Sequence, residues 1–300
     1  MGGNVMEWLV VLDPLEGLIS QTDTSIALIA QAREQGISVD TATIDKLFFE
    51  THAAVMATEE SGREEKKSLA EYALILMRKE PPYDLAFHYA THLLSLSGTM
   101  VVNSPTALRD FNEKLIALPF RKYMPPTLVS SDITILEDFV QRTGKCVIKL
   151  LDSFQGKSVR QVDPSDTGIL HEYTRDGSQP VMVQEFNERV YEGDKRVIMV
   201  GDRFLGAAMR RPKKGFHGNF ANSDALKTVL TTRERTIIDE LGPWLVKHDI
   251  HFVGLDLIGE QLTEINITCP TGIVQISELD GEQLAPIIVD YFVELTQKKQ

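Results

Sequence analysis

The first hundred residues alternate short apolar runs with amphipathic stretches, a pattern typical of strands joined by helices in a mostly parallel sheet. Strands are predicted at residues 7–13, 37–44, 72–78 and 100–103. One helix is predicted from Asp23 or Thr24, either of which can cap it, to Gly36, and a second from Asp84 to Leu96. The charged segment 51–68 lies between two predicted strands and is interpreted as a mobile surface excursion.

From about Lys145 onward, short β-runs are joined by turns that contain glycine, which predicts antiparallel strands. These strands are predicted at residues 145–151, 181–186, 196–200, 203–209 and 252–267, with hairpin turns at Gly201-Asp202 and at Gly259. Helices are predicted at residues 133–143, 232–248 and 283–295. The predicted fold class is therefore α/β followed by α+β.

Composition and charge exclude several classes of protein. The 300 residues are 25% charged and 43% hydrophobic, which is ordinary for a globular protein. The net charge of -12 repels phosphate backbones and anionic lipid, so we expect no nucleic-acid and no membrane partner. Cys146 and Cys269 are too few for a disulfide scaffold, and no apolar run is long enough for a signal peptide or a membrane span. We expect a cytoplasmic location.

Three familiar catalytic or metal-binding patterns fail on inspection. Gly156-Lys157-Ser158 is not a phosphate-binding P-loop, because position 151 is Leu where that motif needs glycine. His88 and His92 are spaced to bind zinc on a helix, but no third ligand is evident and a surface pair is the better interpretation. Neither cysteine has a histidine partner nearby, and no G-x-S-x-G elbow occurs, so covalent catalysis by a side chain is not supported.

Polar residues close three strands of the predicted parallel sheet. Asp13, Arg78 and Asn103 each follow an apolar run. Sheets of this type bind ligands at the carboxyl ends of their strands, so we expect these side chains to line one rim. The alternative is that they are ordinary polar residues at strand ends.

Three oxygen ligands interrupt the apolar hairpin at residues 253–266: Asp256, Glu264 and Asn266. A three-residue turn at Gly259–Gln261 would place Asp256 opposite Glu264, with Asn266 on the same face, whereas a two-residue turn would put Asp256 on the other face. Two carboxylates and a carboxamide form a hard, oxygen-rich site suited to Mg²⁺. The alternative is a solvent-exposed face with alternating polarity.

This hairpin, with Thr268-Cys-Pro-Thr271 behind it, resembles the metal-binding end of an ATP-grasp ligase, and specifically the bacterial glutathione synthetase family. Further matches lie nearly end to end, at residues 12–14, 76–84, 102–105, 108–115 and 193–196. The resemblance implies an ATP-grasp fold in three parts. These are an amino-terminal substrate-binding domain (1–115), a small ATP-grasp lobe (116–190) and a large carboxyl-terminal lobe with the metal site (191–300).

The resemblance also implies a role for individual residues. Those expected to bind ATP are Lys114, Lys149, Gln184, Glu185 and Phe186, with Gly156 and Lys157 in a loop that closes over the triphosphate. The implied Mg²⁺ ligands are Asp256, Glu264 and Asn266, with Mn²⁺ as the alternative metal. The implied catalytic residues are Arg196, Arg210 and Asn219. The implied substrate-binding residues are Asp13, Ser25, Arg78, Asn103, Arg210, Pro270 and Thr271.

A ligase of this family phosphorylates a carboxylate to an acylphosphate, which an amine then attacks. The implied substrates are γ-glutamylcysteine and glycine, and the implied assembly is a homodimer or homotetramer. The loop at residues 152–158 retains one glycine, and the segment 210–220 is more basic and aromatic than the family pattern, so a paralogue that joins another carboxylate or amine is the alternative. The third possible function is a non-catalytic nucleotide-binding scaffold. The residues expected to form a basic cleft are Arg78, Lys114, Lys149, Lys157, Arg196, Arg210 and Arg211.

Overall fold

The amino-terminal strands form a seven-stranded mixed sheet in the computed structural model, which describes residues 6–153, 158–216, 218, 220 and 223–298. Its central strands pair in parallel, as the apolar runs predict. The strands are β1 (Glu7–Val11), β2 (Ser38–Ala42), β3 (Leu47–Phe49), β4 (Ala53–Thr58), β5 (Glu64–Ser68), β6 (Leu74–Met77) and β7 (Met100–Val102). The helices of this part are α1 (Thr24–Glu34), α2 (Leu85–Ser95) and α3 (Pro105–Asp110).

Aspartates cap the first two helices, and for the first of them the sequence predicts a cap at Asp23 or Thr24. The Asp23 carboxylate accepts a hydrogen bond from the amide of Ile26 at 2.9 Å, and the Asp84 carboxylate accepts one from the amide of Phe87 at 2.9 Å. Each bond satisfies a backbone donor in the first turn that has no partner within the helix. Both helices therefore begin where the sequence predicts.

The segment 51–68 is not a mobile excursion, so that interpretation is wrong. Its residues form β4 and β5, an antiparallel hairpin at the edge of the first sheet. β4 buries Ala53, Val55 and Ala57, while the Lys67 ammonium lies 2.7 Å from the buried Asp40 carboxylate. The charges that suggested disorder belong to an edge strand, where charged side chains discourage pairing with another chain.

The middle of the chain forms a four-stranded antiparallel sheet. Two helices accompany it, and one of them ends at Thr143 as the sequence predicts. The strands are β8 (Thr127–Ser130), β9 (Cys146–Leu150), β10 (Arg160–Val162) and β11 (Val181–Glu185). The helices are α4 (Ile133–Thr143) and α5 (Gly168–Thr174).

The carboxyl-terminal part forms a five-stranded antiparallel sheet. Both predicted hairpin turns are present, between Val200 and Arg203 and between Ile258 and Gln261. The strands are β12 (Asp194–Val200), β13 (Arg203–Pro212), β14 (Ser223–Lys227), β15 (Phe252–Ile258) and β16 (Gln261–Asn266). The helices are α6 (Thr232–Lys247), α7 (Ile273–Asp280) and α8 (Leu284–Lys298).

The β15–β16 turn differs from the predicted one, although Asp256 does lie opposite Glu264. Ile258 pairs with Gln261, so the turn consists of two residues, Gly259 and Glu260, both with positive φ. A register shift between Asp256 and Leu257 then restores the pairing of Asp256 with Glu264. The inference that a two-residue turn would reverse the face was wrong, because it omitted this β-bulge.

Helix α8 connects the first and third sheets. Trp8 of β1 contacts Phe292 of α8 edge to face, with ring centroids 6.3 Å apart, and Phe252 of β15 contacts the same ring at 6.1 Å. This shared apolar packing places the carboxyl ends of the parallel strands beside the last sheet. No helix in the described part of the chain is both long and apolar enough to cross a membrane.

Candidate active site

A cavity of about 410 Å³ lies between the second and third sheets and extends to the end of the first. Its walls come from β9 and β11 on one side and from β12, β13, β15 and β16 on the other. Glu80, Pro81 and Thr271 line its far end. One continuous space therefore touches all three parts of the fold.

One end of this cavity is apolar. Val147, Phe186 and Val190 form a buried cluster there, against which Phe216 and Ile258 pack. The rings of Phe186 and Phe216 meet edge to face, with centroids 5.6 Å apart. Such a surface, with polar groups at its rim, suits a flat aromatic ring.

A lysine and a glutamine extend from β9 and β11 into the middle of the cavity. The Lys149 ammonium donates to Oε1 of Gln184 at 2.6 Å, and Gln184 donates to the Thr127 hydroxyl at 2.9 Å. Burial lowers the pKa of Lys149, a shift opposed by the nearby carboxylate of Glu264. Lys149 therefore has a neutral hydrogen-bond partner, and its ammonium can donate a further hydrogen bond to an anionic group.

The predicted metal ligands lie on one face of the β15–β16 hairpin. Asp256 and Glu264 are directly opposed, and Asn266 is opposite Gly254. Nδ2 of Asn266 donates to Oδ2 of Asp256 at 3.2 Å and to the Gly254 carbonyl at 3.2 Å. Since the amide nitrogen makes both bonds, Oδ1 of Asn266 is the atom available to a ligand.

Two buried arginines hold Asp256. The guanidinium of Arg196 donates from Nε at 2.6 Å and from Nη2 at 3.1 Å, while Nη2 of Arg210 lies 2.9 Å from Asp256 Oδ1. Burial alone would raise the pKa of Asp256, but the two guanidinium groups outweigh it, so the pKa lies below its ordinary value. Arg210 also pairs with Asp194, at 2.5 Å.

Lys114 and Glu113 contact the hairpin at β16 and at the residues that follow it. The Lys114 ammonium is 3.3 Å from Oε1 of Glu264 and also donates to the carbonyl of Ser153. Glu113 accepts hydrogen bonds from the amides of Ile267 and Thr268 at 2.7 and 2.8 Å. Burial, reinforced by the charge of Glu264, raises the pKa of Glu113 above its ordinary value.

The donor set of the hairpin fits a hard cation that binds phosphate oxygens as well as protein. Asp256, Glu264 and Asn266 offer two carboxylates and one amide oxygen. Among the described residues there is no group of three or more His, Cys, Asp or Glu side chains that could hold a metal ion. A site with so few protein ligands is characteristic of Mg²⁺, which keeps waters and binds substrate phosphates.

Most of the predicted substrate residues make structural contacts away from the cavity wall. Arg78 donates from Nε to the Ser25 hydroxyl at 3.0 Å and from Nη2 to the Pro270 carbonyl at 2.9 Å, and it stacks over Phe252. Thr271 does line the cavity, and its carbonyl accepts from Nη1 of Arg196 at 3.2 Å. The cavity wall therefore excludes Arg78, Ser25 and Pro270, which contact one another next to it.

For Asn103 and Asp13, the expectation of a ligand-lining rim needs correction. The Asn103 amide donates to the carbonyls of Phe252 and Ile267 and accepts from the amides of His251 and Phe252, all within 2.8 Å. Asp13 accepts from the amide of Glu80 at 2.8 Å and pairs with Lys79 at 2.8 Å. Asn103 is saturated by these bonds, and neither residue is part of the cavity wall.

Three predicted residues, Gly156, Lys157 and Asn219, lie outside the described part of the chain. The expected basic cleft also needs correction. The charged lining residues are the cations Lys149, Arg196 and Arg210 and the carboxylates Glu80, Glu113, Glu185, Asp194, Asp256 and Glu264. Carboxylates outnumber cations in the described wall, and two of the cations, Arg196 and Arg210, are paired with acids from neighbouring strands.

Sequence reasoning missed several lining residues, notably Glu113, Asp194 and Phe220. Two of these had a usable signal. Asp194 precedes Arg196 by two residues on a strand, so both side chains must emerge on the same face. Glu113 stands beside Lys114 in a segment that matches the family.

Family models match both parts of the chain. The model of the N-terminal domain of prokaryotic glutathione synthetase matches residues 6–109, and that of the ATP-grasp domain of prokaryotic glutathione synthetase matches residues 113–281. Proteins named glutathione synthetase are similar over nearly the full length. The one from Gloeobacter violaceus is 38% identical, covering 97% of this chain and 98% of that protein. The one from Nitrosomonas europaea is 33% identical, covering 95% and 97%.

Solved structures share the fold at low sequence identity. A D-cycloserine synthetase superposes with a TM-score of 0.74 at 15% identity, covering 96% of this chain and 99% of that one. An ATP-grasp ligase complexed with a variant of its minimal precursor, Mg and ADP superposes with a TM-score of 0.66 at 16% identity, covering 98% and 99%. These similarities show the ATP-grasp fold.

Proposed function

Because this chain belongs to the prokaryotic glutathione synthetase family, we propose that it joins γ-glutamylcysteine to glycine at the expense of ATP, forming glutathione, ADP and phosphate. Membership of the family makes it an ADP-forming carboxylate–amine ligase. The observation that carries the proposal is that one cavity combines an apolar end, buried cations and an oxygen-rich hairpin.

The apolar end of the cavity is the proposed adenine site. Phe186, Phe216 and Ile258 provide the surfaces, and Gln184 and Glu185 of β11 lie beside them. Lys149, which contacts Gln184, and Lys114, which contacts Glu264, are the proposed phosphate-binding lysines. Gly156 and Lys157 belong to the same proposal, on the family resemblance alone.

The β15–β16 hairpin is the proposed Mg²⁺ site. Asp256, Glu264 and Oδ1 of Asn266 would hold the ion together with phosphate oxygens, and Mn²⁺ would fit the same donors. When bound, the ion would neutralise the charge that develops on the transferred phosphoryl group. Asp256 already contacts both arginines, so the same carboxylate would connect the ion to these cations.

Arg196 and Arg210 are the proposed catalytic cations, with Asn219 added by the resemblance. Both guanidinium groups are buried and held by carboxylates in fixed orientations. Pre-oriented donors of this kind stabilise a carboxylate and a phosphoryl group as they meet, and they need no reorganisation during the reaction. Substrate binding is proposed at Thr271 and Arg210, with Asp13, Ser25, Arg78, Asn103 and Pro270 supporting the adjoining wall.

A product assay tests the proposed reaction. The purified protein is incubated with ATP, Mg²⁺, γ-glutamylcysteine and glycine, and both ADP and the glutathione mass are measured. We expect both products, and neither when γ-glutamylcysteine or glycine is omitted. ADP release only with another amine or carboxylate would indicate a paralogous ligase, and ATP binding without turnover would indicate a scaffold.

We also propose that the protein is cytoplasmic and forms a homodimer or homotetramer. The proposed domains of each chain are residues 1–115, 116–190 and 191–300. Both cysteines are free thiols, which suits a reducing compartment. Leu85 and Tyr89 of α2, and Leu96 just after it, are exposed, which suits an interface. Light scattering of the protein and of Leu85→Glu tests the assembly, and we expect the variant to have the lower mass.

A further inference from the structure

One buried ion pair in the cavity wall contains two polar atoms without partners. Asp194 and Arg210 lie directly opposite each other on β12 and β13, and are 6% and 3% exposed. Nη2 of Arg210 lies 2.5 Å from Oδ2 of Asp194. The other carboxylate oxygen, Asp194 Oδ1, and the Arg210 Nε have no hydrogen-bond partner in the described structure. The pair therefore presents one acceptor and one donor that its own contacts do not use.

Unused buried polar atoms of this kind need a reason. Each one destabilises the folded protein when it is left unpaired, and more so when the group is charged. Nearly all buried polar groups in native proteins have partners, so two exceptions in neighbouring side chains are unusual. Both residues line the cavity, which makes a ligand the natural partner.

The ligand that matches this pair has a cationic donor next to an anionic acceptor. We infer that Asp194 and Arg210 form the binding site for the amino acid that acts as acceptor. In this site Oδ1 of Asp194 accepts a hydrogen bond from the acceptor's ammonium group, and Nε of Arg210 donates one to its carboxylate. The inference rests on the proposed function and narrows it, because it requires a zwitterionic acceptor and gives Asp194 the role of recognising it.

The location of the pair agrees with this role. Arg210 also contacts Asp256 at 2.9 Å, so the acceptor would lie beside the hairpin where phosphoryl transfer is proposed. Gly218 and Phe220 both lie close to the pair. A methyl group at Gly218 would come within 2.8 Å of the Asp194 carboxylate, and the Phe220 ring lies 5.5 Å from the Arg210 guanidinium.

Replacing Asp194 by Asn separates acceptor binding from the first half of the reaction. Asp194→Asn keeps the shape of the side chain but removes the charge that attracts an ammonium group. We expect the KM for glycine to rise about 10- to 100-fold, as for the loss of a charge-assisted hydrogen bond, with the KM values for ATP and γ-glutamylcysteine unchanged. Hydroxylamine, which is largely uncharged at neutral pH and has no carboxylate, should still trap the acylphosphate as a hydroxamate at the rate of the unaltered protein.

Glycinamide tests the arginine half of the site in the unaltered protein. It keeps the ammonium group and lacks the carboxylate, so it should be a much poorer acceptor than glycine. Asp224→Asn is the matched control, because Asp224 is an exposed acid on β14, paired with Lys213 and outside the cavity. We expect this variant to behave like the unaltered protein with every acceptor.

Two results would overturn the inference. One is an unchanged KM for glycine in Asp194→Asn, and the other is an equal loss of glycine and hydroxylamine reactions, which would make Asp194 only a support for Arg210. If Asp194→Asn does not fold, Gly218→Ala serves instead, because it displaces the carboxylate without removing its charge, and the same two results apply. Failure of the unaltered protein to form either product from γ-glutamylcysteine would refute the proposed function instead.

Discussion

Glu264→Gln separates the proposed metal site from the stability of the fold. The Glu264 carboxylate pairs with Lys114 at 3.3 Å, with the two side chains 25% and 7% exposed. Removing one partner of a fully buried pair costs about 3–5 kcal/mol, so for this partly exposed pair we expect about 1–3 kcal/mol of unfolding free energy. A protein with about 5–15 kcal/mol of stability remains folded after such a loss.

The effect of this substitution on turnover should be much larger than its effect on folding. Losing a residue that only supports a metal ligand costs about 10- to 100-fold in activity, and a direct ligand should cost more. ADP release is measured at saturating substrates over a range of Mg²⁺ concentrations, and unfolding is followed with urea. Glu282→Gln, an exposed acid remote from the cavity, is the control. Turnover near that of the control, with an unchanged Mg²⁺ requirement, would refute the assignment of Glu264.

Asp256→Asn should lower the free energy of unfolding by about 3–5 kcal/mol in urea denaturation, because it leaves two buried guanidinium groups without their shared counterion. Because the folded-state pKa of Asp256 is lowered, its carboxylate stabilises the fold above the ordinary carboxyl pKa, and this stabilisation is lost as the pH falls. The unaltered protein and Asp256→Asn should therefore converge in stability in acid. Glu113→Gln should raise the melting temperature at neutral pH, because the raised pKa of Glu113 means that its charged form costs stability there, and the gain should vanish below the ordinary pKa. Phe186→Ala should raise the KM for ATP about 10-fold by removing an aromatic surface, without changing the KM for γ-glutamylcysteine, in steady-state assays of ADP release.

Sequence patterns predicted the elements of this fold better than their registers. The apolar periodicity of residues 133–143 gives helix α4 with its bounds, because the hydrophobic face and the cap at Asp132 are local features. The register of the β15–β16 hairpin depends on a bulge between Asp256 and Leu257, which no local pattern marks. The prediction placed Asp256 opposite Glu264 with the wrong turn.

Interactions between distant segments limited the prediction of the site. Asn103 follows a parallel strand as a ligand-binding residue would, yet its amide is consumed by His251, Phe252 and Ile267. Those partners lie about 150 residues away in the sequence, beyond any periodicity argument. The same limit applies to segment 51–68, where Lys67 of β5 pairs with Asp40 of β2 and Glu7 of β1.

The charge distribution of the cavity gives an independent reason to expect a metal. The family resemblance implies a local basic site despite the net charge of -12, but in the structure Arg196, Arg210 and Lys114 are each paired with carboxylates. Such pairs leave little positive charge for a triphosphate and a carboxylated peptide, whose combined charge the wall would otherwise repel. Divalent cations bound beside Asp256 and Glu264 would supply that charge, because these two carboxylates lie on the same face of one hairpin. The acidic wall is therefore an argument for metal-dependent nucleotide binding rather than against nucleotide binding.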